Sequence, residues 1–178
     1  MSRLIDRLLR YASSGRVLGT LRPVDLDAVV DEAIDGCRQL IADRGVHLHR
    51  TALPGVHGDH ARLVEVVSNL LTNAIRHTPT SKDPRIWIAG SEHDHLVALT
   101  VADDGPGIRP EDRERVLAPF DRLDGASPAP GTGLGLPIVA SIVEAHGGQL
   151  ELATSEAGGL LVRILLPRSD ANAESQPA

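Results

Sequence analysis

The amino-acid sequence predicts one α+β domain with a short appended element at its start. Three long segments repeat apolar residues with the 3.6-residue period of an amphipathic helix, whereas five shorter segments have the apolar patterns of β-strands. The chain has 178 residues, of which 42% are hydrophobic, and this is enough to bury a single core.

The appended element is a short helical segment at the start of the chain. Leu4, Ile5, Leu8 and Leu9 recur at helical spacing, and the segment ends near residues 13–15, Ser-Ser-Gly. A helix of this length is marginal by itself in water, so its apolar face needs something to pack against.

Capping residues bound the second helical segment. Asp25 is a suitable N-cap and Gly45 supplies a stop. The apolar positions between them follow the helical period: Leu26, Val29, Val30, Ala33, Ile34, Cys37, Leu40 and Ile41. The next segment, VHLHRT, alternates like a strand, so we interpret His47 and His49 as solvent-facing strand residues rather than metal ligands.

A third helix and a hairpin are predicted next. Asp59 caps a long helix through HARLVEVVSNLLTNAIRH, and Pro79 ends it. RIWIAG and HLVALTVADD are predicted as neighbouring strands joined by the polar connection SEHDH. Residues 110–112, Pro-Glu-Asp, favour a short helix, and the aperiodic residues 124–133, DGASPAPGTG, favour a mobile loop.

The C-terminal third of the chain predicts one more helix and two strands. LPIVASIVEAH is helical provided that Pro137 lies in the first turn, where proline is tolerated. QLELATS and GLLVRILLP are predicted strands, and residues 168–178 are predicted to be a disordered tail. The domain is therefore expected to span residues 20–167, with residues 1–19 as the appended element.

Composition excludes several classes of function. The aromatic residues are Tyr11, Trp87 and Phe120, and the formal net charge is −6, so neither base stacking nor polyanion attraction supports a nucleic-acid partner. Cys37 is the single cysteine and falls among apolar helix positions, which fits a buried thiol in a reducing cytoplasm. No apolar run approaches the roughly 20 residues that span a bilayer, so no membrane insertion is expected.

Two asparagines of the long helix are the first candidate ligands. Asn69 and Asn73 are four residues apart, which stacks them on one face about 5–6 Å apart. They belong to a polar stripe with Arg62, Glu65 and Arg76 at the edge of the buried arc. Any amphipathic helix has such a stripe, yet a pair of neutral oxygen donors also suits a hydrated Mg²⁺. The helical pattern alone leaves both interpretations open.

Two glycine-containing motifs follow the asparagines. In VADDGPGI a predicted strand runs into Asp103, whose carboxylate can accept a hydrogen bond from an amino group, while nearby glycines let a flat ligand approach the backbone. The same residues also suit an ordinary Asp-Gly turn. GTGLGLPIV, residues 131–139, places three glycines before a helix, without the lysine of a P-loop or the spacing of a dinucleotide fingerprint.

Together and in this order, the three motifs resemble the catalytic, ATP-binding domain of bacterial sensor histidine kinases. NLLTNAIRHT resembles the N box of that family, DDGPGI its first glycine box, APFDRLD its phenylalanine box and GTGLGLPIV its second glycine box. EAHGGQLEL and GGLLVRILLP look like its closing hairpin. The resemblance covers roughly residues 20–167. It implies a two-layer sandwich, the Bergerat fold shared with gyrase, Hsp90 and MutL-type ATPases, in which a mixed, mostly antiparallel sheet carries helices on one face.

The resemblance also implies roles for individual residues. Asp103 would accept the adenine amino group, and Asn73, supported by Asn69, would hold Mg²⁺. Arg76 and Arg122 would contact phosphate. His77 lies where the family often has an aromatic residue beside the adenine, although a histidine favoured by the helix dipole is an equally good interpretation.

The pocket itself would be formed largely by backbone. In this family the glycine-rich loop and the following helix start meet the triphosphate through N–H groups, so no P-loop lysine is required. Residues 124–133 would form the lid. The positions expected to shape the pocket are Gly105, Gly107, Ile108, Gly131, Thr132, Gly133, Leu134, Gly135 and Leu136.

The implied activity is transfer of the γ-phosphate of ATP to a histidine on a separate dimerisation domain or chain, with a response regulator acting downstream. Residues 1–19 resemble the end of a second dimerisation helix and its linker. None of the eight histidines fits the phosphoacceptor pattern, so the chain is expected to be inactive without an acceptor partner. It is then either an excised fragment or one half of a split kinase.

Departures from the family pattern keep alternatives open. Leu117 stands where a phenylalanine is common and Asp121 where an aromatic is common, so packing of the lid is less well specified than nucleotide binding. Asn69 occupies the position of the glutamate base in hydrolysing relatives, which predicts slow ATP hydrolysis. The alternatives are a non-catalytic ATP-binding regulatory module and an anti-sigma-factor serine kinase.

Overall fold

The computed structural model describes residues 18–78, 83–119 and 133–169. The predicted helix at the start of the chain, the lid residues 124–132 and the tail residues 170–178 lie outside these ranges. Within them, the elements are β1 (Arg22–Val24), α1 (Leu26–Arg44), β2 (His47–Arg50), β3 (Val56–Gly58), α2 (His60–His77), β4 (Arg85–His93), β5 (Leu96–Asp103), α3 (Gly135–Ala145), β6 (Gln149–Thr154) and β7 (Leu160–Pro167).

Five of the strands form one mixed sheet in the order β2-β4-β5-β7-β6. Strands β2 and β4 are parallel, and every other neighbouring pair is antiparallel. Strands β1 and β3 form a separate antiparallel pair. The structure therefore confirms the mixed, mostly antiparallel sheet that the family resemblance implies.

The helices cover one face of the sheet. Alternate residues of the central strands are buried, as the period of two along a strand requires. They form one hydrophobic cluster with the apolar stripes of the three helices, so the domain has two layers around a single core. The core is built almost entirely from Leu, Val, Ile and Ala, and Cys37 is buried within it with its Sγ 3.7 Å from Thr72 Oγ1.

The helix boundaries confirm the predicted capping. Asp25 accepts the Asp27 N–H at 2.9 Å, and Gly45 ends α1 in the left-handed conformation with φ 63°. Asp59 caps α2 by accepting the Arg62 N–H at 3.2 Å. Helix α3 begins at Gly135, which places Pro137 in the first turn. No helix in the described part of the chain is long and apolar enough to cross a membrane.

The hairpin between β4 and β5 is tighter than predicted. The polar residues Ser91, Glu92 and His93 continue β4, because each pairs with a residue of β5. The connection is only a two-residue turn, in which Asp94 adopts φ 47°, a conformation that aspartate tolerates better than most residues. The predicted five-residue connection was wrong because these exposed polar side chains resemble a loop in sequence.

Short elements account for the other differences. The pair of β1 and β3 was not predicted, since three-residue strands give too little alternation to recognise. The helix predicted at residues 110–112 is a single 3₁₀ turn, and a second one spans Arg115–Leu117. At the other end of the domain, Arg168 N donates to His95 O at 2.8 Å and Ser169 N to Gly55 O at 3.4 Å, so paired backbone continues two residues past Pro167.

Candidate functional site

Asp103, the last residue of β5, lies at the centre of the candidate site. It is a carboxylate only 4% exposed, held by N–H groups of Gly105 at 2.8 Å and Leu160 at 3.1 Å. Both groups donate to the same oxygen, Oδ1. Among the described residues no group donates to Oδ2, so this oxygen can accept a hydrogen bond from a ligand.

The electrostatics of Asp103 distinguish it from a structural carboxylate. Burial raises the pKa of its carboxyl group above the ordinary value. The N–H groups of Leu160 and Gly105 and the neighbouring His77 offset this rise only in part, and the charge of Asp104 adds to it. Burial disfavours the charged form of a carboxyl group. Buried carboxyl groups with a raised pKa are typical of functional sites.

The loop after Asp103 requires glycine for close packing. A Cβ on Gly105 would lie 2.8 Å from His77 O and 2.9 Å from Asp103 Oδ1, which is too close for a side chain. Gly107 has φ 68°, and a Cβ there would lie 3.1 Å from Gly158 O. The loop is therefore pressed between the end of α2 and the turn that joins β6 to β7.

Helix α2 brings its asparagine pair to the same region. Asn69 and Asn73 are both half-buried, and α2 packs against β5 and α3. Asn69 Nδ2 donates to Glu65 O of its own helix at 2.8 Å, which leaves the amide oxygen available near Gly135, at 3.8 Å from the position of a Cβ there. In the described part of the chain, Asn73 makes no side-chain hydrogen bond.

The last turn of α2 carries Arg76, predicted to contact phosphate, and His77, predicted to lie beside the adenine. Arg76 and His77 are half-buried, and each takes part in an interaction with its surroundings. His77 is near enough to Asp103 for its charge to influence the pKa of that carboxyl. These observations place His77 beside Asp103, and its contact with a nucleotide stays a prediction.

The start of α3 presents backbone rather than side chains. Gly133 has φ 68°, and Leu134 occupies the N-cap position without a side-chain capping bond in the described residues. Leu134 and Leu136 are 1% and 7% exposed, so their side chains belong to the core. Their predicted contact with a nucleotide is therefore restricted to main-chain groups, since the first N–H groups of a helix have no partner within it.

Most of the predicted site residues are thus brought to one end of the domain. The loop after β5 adjoins the end of α2 at His77, and the start of α3 adjoins the same helix at Asn69. Ile108 packs partly into the core beside them. Arg122, Gly131 and Thr132 lie outside the described residues, and their predicted roles stay predictions.

The sequence did not predict that the turn between β6 and β7 contacts Asp103. Ser155 Oγ donates to Asp103 O at 2.7 Å, and Leu160 supplies one of the two N–H bonds to the carboxylate. The segment SEAGG has the composition of a turn, and this was a usable signal for its conformation. Nothing local indicates its partner, because Ser155 and Asp103 are 52 residues apart in the chain.

A comparison with protein families identifies the domain. Residues 58–170 match the model of the family described as histidine kinase-, DNA gyrase B-, and HSP90-like ATPase. The chain belongs to this ATPase family. The matched range contains α2, Asp103 and the start of α3, so it includes every described residue of the candidate site.

Curated relatives of the chain include histidine-protein kinases. The chain is 33% identical over 167 residues to the phytochrome-like protein Cph1 of Synechocystis sp., covering 94% of this chain and 22% of that protein. It is 33% identical over 174 residues to the signal transduction histidine-protein kinase BaeS of Escherichia coli, covering 94% and 37%. The chain thus spans well under half the length of these curated relatives.

Solved structures agree with this assignment. The mycobacterial sensor histidine kinase MprB superposes with a TM-score of 0.73 at 32% identity, over 82% of this chain and 97% of that one. Full-length ShkA in complex with AMPPNP superposes with a TM-score of 0.75 at 26% identity, over 92% and 35%. The predicted fold and the assignment to the ATP-binding catalytic module of the histidine kinase type are confirmed.

Proposed function

We propose that the chain binds Mg²⁺-ATP at this site and transfers the γ-phosphate to a histidine of a separate phosphoacceptor domain or chain. The observation that carries the proposal is the arrangement of Asp103, a buried carboxylate that receives two backbone N–H bonds on Oδ1 while no group of the described residues donates to Oδ2. A buried carboxylate beside a glycine-containing loop suits adenine, because the carboxylate accepts hydrogen bonds and the amino group of the base is the group that donates one. Membership of the ATPase family, and the complex of the similar protein ShkA with AMPPNP, also support ATP as the ligand.

The metal would be held mainly by Asn73. Mg²⁺ prefers oxygen ligands and keeps several waters, binding proteins through one or two groups plus the phosphates of its substrate. Asn73 fits this role because its amide makes no hydrogen bond among the described residues, and the oxygen of Asn69 is left available on the same helix face. No group of three acidic, histidine or cysteine side chains in the described residues offers a competing cation site. The metal would neutralise charge on the triphosphate.

The triphosphate would extend from the base toward the start of α3. No side chain of the described residues caps the first N–H groups of α3, which follow Gly133 in its left-handed conformation. Such a helix start is the kind of backbone end that binds phosphate without a lysine. Arg76, at the last turn of α2, is assigned to phosphate contact, as is Arg122 outside the described residues. Electrostatic stabilisation and positioning would supply most of the catalysis, as in other phosphoryl transfers.

The acceptor would come from outside this domain. In the transfer a nitrogen of the acceptor imidazole forms the new N–P bond while the bond to the ADP oxygen breaks, which requires the acceptor in line with the γ-phosphorus. None of the eight histidines fits the phosphoacceptor pattern, and His146 is buried with both ring nitrogens engaged. The partner is therefore a dimerisation domain or chain with its own phosphoacceptor helix.

Labelling with γ-³²P-ATP tests the proposal. The chain is incubated alone and with a dimeric partner that carries a His-Glu or His-Asp phosphoacceptor helix, and Asn73→Ala serves as the control. We expect acid-labile label on the partner, little on the isolated chain, and a loss of labelling in the variant. Acid-stable label would indicate transfer to serine, and ATP binding without transfer to any partner would indicate a regulatory module; either result contradicts the proposal.

A further inference from the structure

The turn between β6 and β7, residues 155–159, lies directly against Asp103. A Cβ on Gly159 would lie 2.2 Å from Asp103 O, 2.4 Å from Asp103 Oδ1 and 2.6 Å from Gly105 N. These distances are far below any real contact, so no side chain fits at this position. The backbone of the turn therefore touches both the main chain and the carboxylate of Asp103, and a shift of the turn would displace the carboxylate.

Ser155 joins this turn to the Asp103 peptide. Its side chain is buried, and its hydroxyl donates to Asp103 O at 2.7 Å while accepting the Gly159 N–H at 2.9 Å. The ladder between β5 and β7 ends at the pair of Ala102 and Leu161. The hydroxyl thus supplies a partner for the next carbonyl of β5, where the ladder has stopped.

The turn holds Asp103 at two points. It is closed by Ser155 N donating to Gly159 O at 2.9 Å and by Gly158 N donating to Ser155 O at 3.0 Å. At its first residue, the Ser155 hydroxyl fixes the Asp103 main chain; directly after its last residue, the Leu160 N–H fixes Oδ1 at 3.1 Å. The direction in which Oδ2 faces is set by these two bonds and by Gly105.

We propose that Ser155 is a positioning residue for base recognition, which fixes the turn and the Asp103 peptide so that Oδ2 faces the amino group of the base. The inference rests on the proposed function, in which Asp103 contacts adenine. Ser155 itself does not touch the nucleotide. Its contribution is therefore confined to the contact that Asp103 makes, and the phosphate end of the site at α3 is independent of it.

A ligand lacking the base amino group separates this role from a general effect on folding. Titration calorimetry measures the affinity of the full chain for Mg²⁺-ATP and for purine riboside triphosphate, which has hydrogen in place of the amino group. The variants are Ser155→Ala, Ser155→Cys, Asp103→Asn and the double variant Ser155→Ala with Asp103→Asn. Thr100→Val is the matched control, because it removes a hydroxyl that donates to Ala89 O at 3.1 Å elsewhere in the same sheet.

We expect Ser155→Ala to weaken ATP binding about tenfold, the size of effect that one misaligned charge-assisted hydrogen bond produces. Binding of the analogue is expected to stay within about twofold of wild type, and Thr100→Val to alter neither ligand. Ser155→Cys, which keeps the size of the side chain, should show the same selective loss even if the alanine variant folds poorly. The double variant should bind ATP no more weakly than Asp103→Asn alone.

Several results would overturn the inference. Equal losses for ATP and the analogue, or losses that multiply in the double variant, would show that Ser155 acts independently of Asp103. If Ser155→Ala binds ATP normally while Asp103→Asn binds it more weakly, Ser155 has no role in base recognition, although the contact between Asp103 and the base still holds. An unaltered affinity in Asp103→Asn would instead overturn the proposed function itself, and the inference with it.

Discussion

Asp59 and Asp103 each accept backbone N–H bonds at the end of an element, but they distribute those bonds differently. Asp59 uses both oxygens: Oδ1 accepts from Arg62 at 3.2 Å and Oδ2 from Gly19 at 2.7 Å. Asp103 takes both of its bonds on Oδ1. The first arrangement gives each carboxylate oxygen a donor, whereas the second leaves Oδ2 of Asp103 without a donor among the described residues, as the proposed base contact requires.

A search for cavities alone would favour Asp59 rather than Asp103 as a binding residue. Asp59 lines a hollow of about 530 Å³ beside the start of α2, formed with Gly19, Thr20, Arg22, His60 and Ala61. Its carboxylate is nevertheless committed to joining the N-terminal segment to α2, and the Asp59 N–H is bound to His146 Nε2 at 3.0 Å. Oδ2 of Asp103, which has no donor among the described residues, is a more specific indicator of a binding site than the hollow beside Asp59.

The pKa shifts of the two groups have opposite signs. Burial works to raise the pKa of Asp59, but the N–H groups of Gly19, Arg62 and Ala61, together with His146, outweigh burial and lower it below the ordinary value. Burial dominates at Asp103, where the pKa is raised. The charged carboxylate of Asp59 is therefore expected to stabilise the folded protein, whereas the charged carboxylate of Asp103 is expected to lower the free energy of unfolding.

The largest expected effect is on nucleotide binding. Asp103→Asn removes the anionic acceptor for the base amino group, so ATP affinity should fall by about one to two powers of ten, corresponding to about 1.5–3 kcal/mol. Titration calorimetry of the variant and wild type measures this. Asp59→Asn is the matched control and should bind ATP normally; equal losses in both variants would contradict the assignment.

The next effect is on stability. Asp59→Ala removes the N-cap of α2 and the anchor of Gly19, so we expect the free energy of unfolding to fall by about 1–2 kcal/mol. Asp25→Ala is the comparison, because Asp25 caps α1 through a single N–H. Urea unfolding should show a larger loss for Asp59→Ala, with little change in the ATP affinity of the folded protein. A larger loss at Asp25 would mean that the Gly19 bond contributes nothing.

These two results concern residues that were predicted with unequal success. The caps at Asp25 and Asp59 were predictable because a cap depends on residues two or three positions away. Asp103 was indicated by its place after an apolar strand and before two glycines. Ser155 and Gly159 were not, because their bonds to Asp103 join segments that only the completed sheet brings together. The extended β4 was missed because its outer residues are polar, although its backbone pairs fully with β5.

The pH dependence should separate the two carboxylates further. The proposed contact needs the charged form of Asp103, whose pKa is raised, so ATP affinity relative to purine riboside triphosphate should fall already above the ordinary aspartate pKa of about 3.9. Asp59 has a lowered folded pKa, so its stabilising effect is present above that value and is lost only as the pH falls through the folded pKa. Calorimetric titrations and thermal unfolding over a pH series measure both. In Asp103→Asn the pH dependence of the relative ATP affinity should disappear, while the pH dependence of stability caused by Asp59 should remain. If the affinity of this variant still depends on pH in the same way, another group is responsible.

The smallest effect is the stability of Asp103→Asn itself. A raised folded pKa contributes stability below the unfolded pKa that is lost as the pH rises through the folded pKa. The amide does not titrate and its oxygen can still accept from Gly105 and Leu160, so the variant should unfold within about 1 kcal/mol of wild type at neutral pH. Its stability relative to wild type should increase as the pH rises through the folded pKa of Asp103. A loss of several kcal/mol in urea unfolding would show that the charge of Asp103 stabilises the fold.

The most direct test of the central claim is a crystal structure of the chain with Mg²⁺ and a non-hydrolysable ATP analogue. The measured quantity is the distance from each carboxylate oxygen of Asp103 to the exocyclic amino nitrogen of the adenine. We expect Oδ2 within about 2.7–3.2 Å of that nitrogen, with Oδ1 still bound to Gly105 and Leu160. A nucleotide bound with its amino group on another residue, or on Oδ1 with the two N–H bonds broken, would contradict the account.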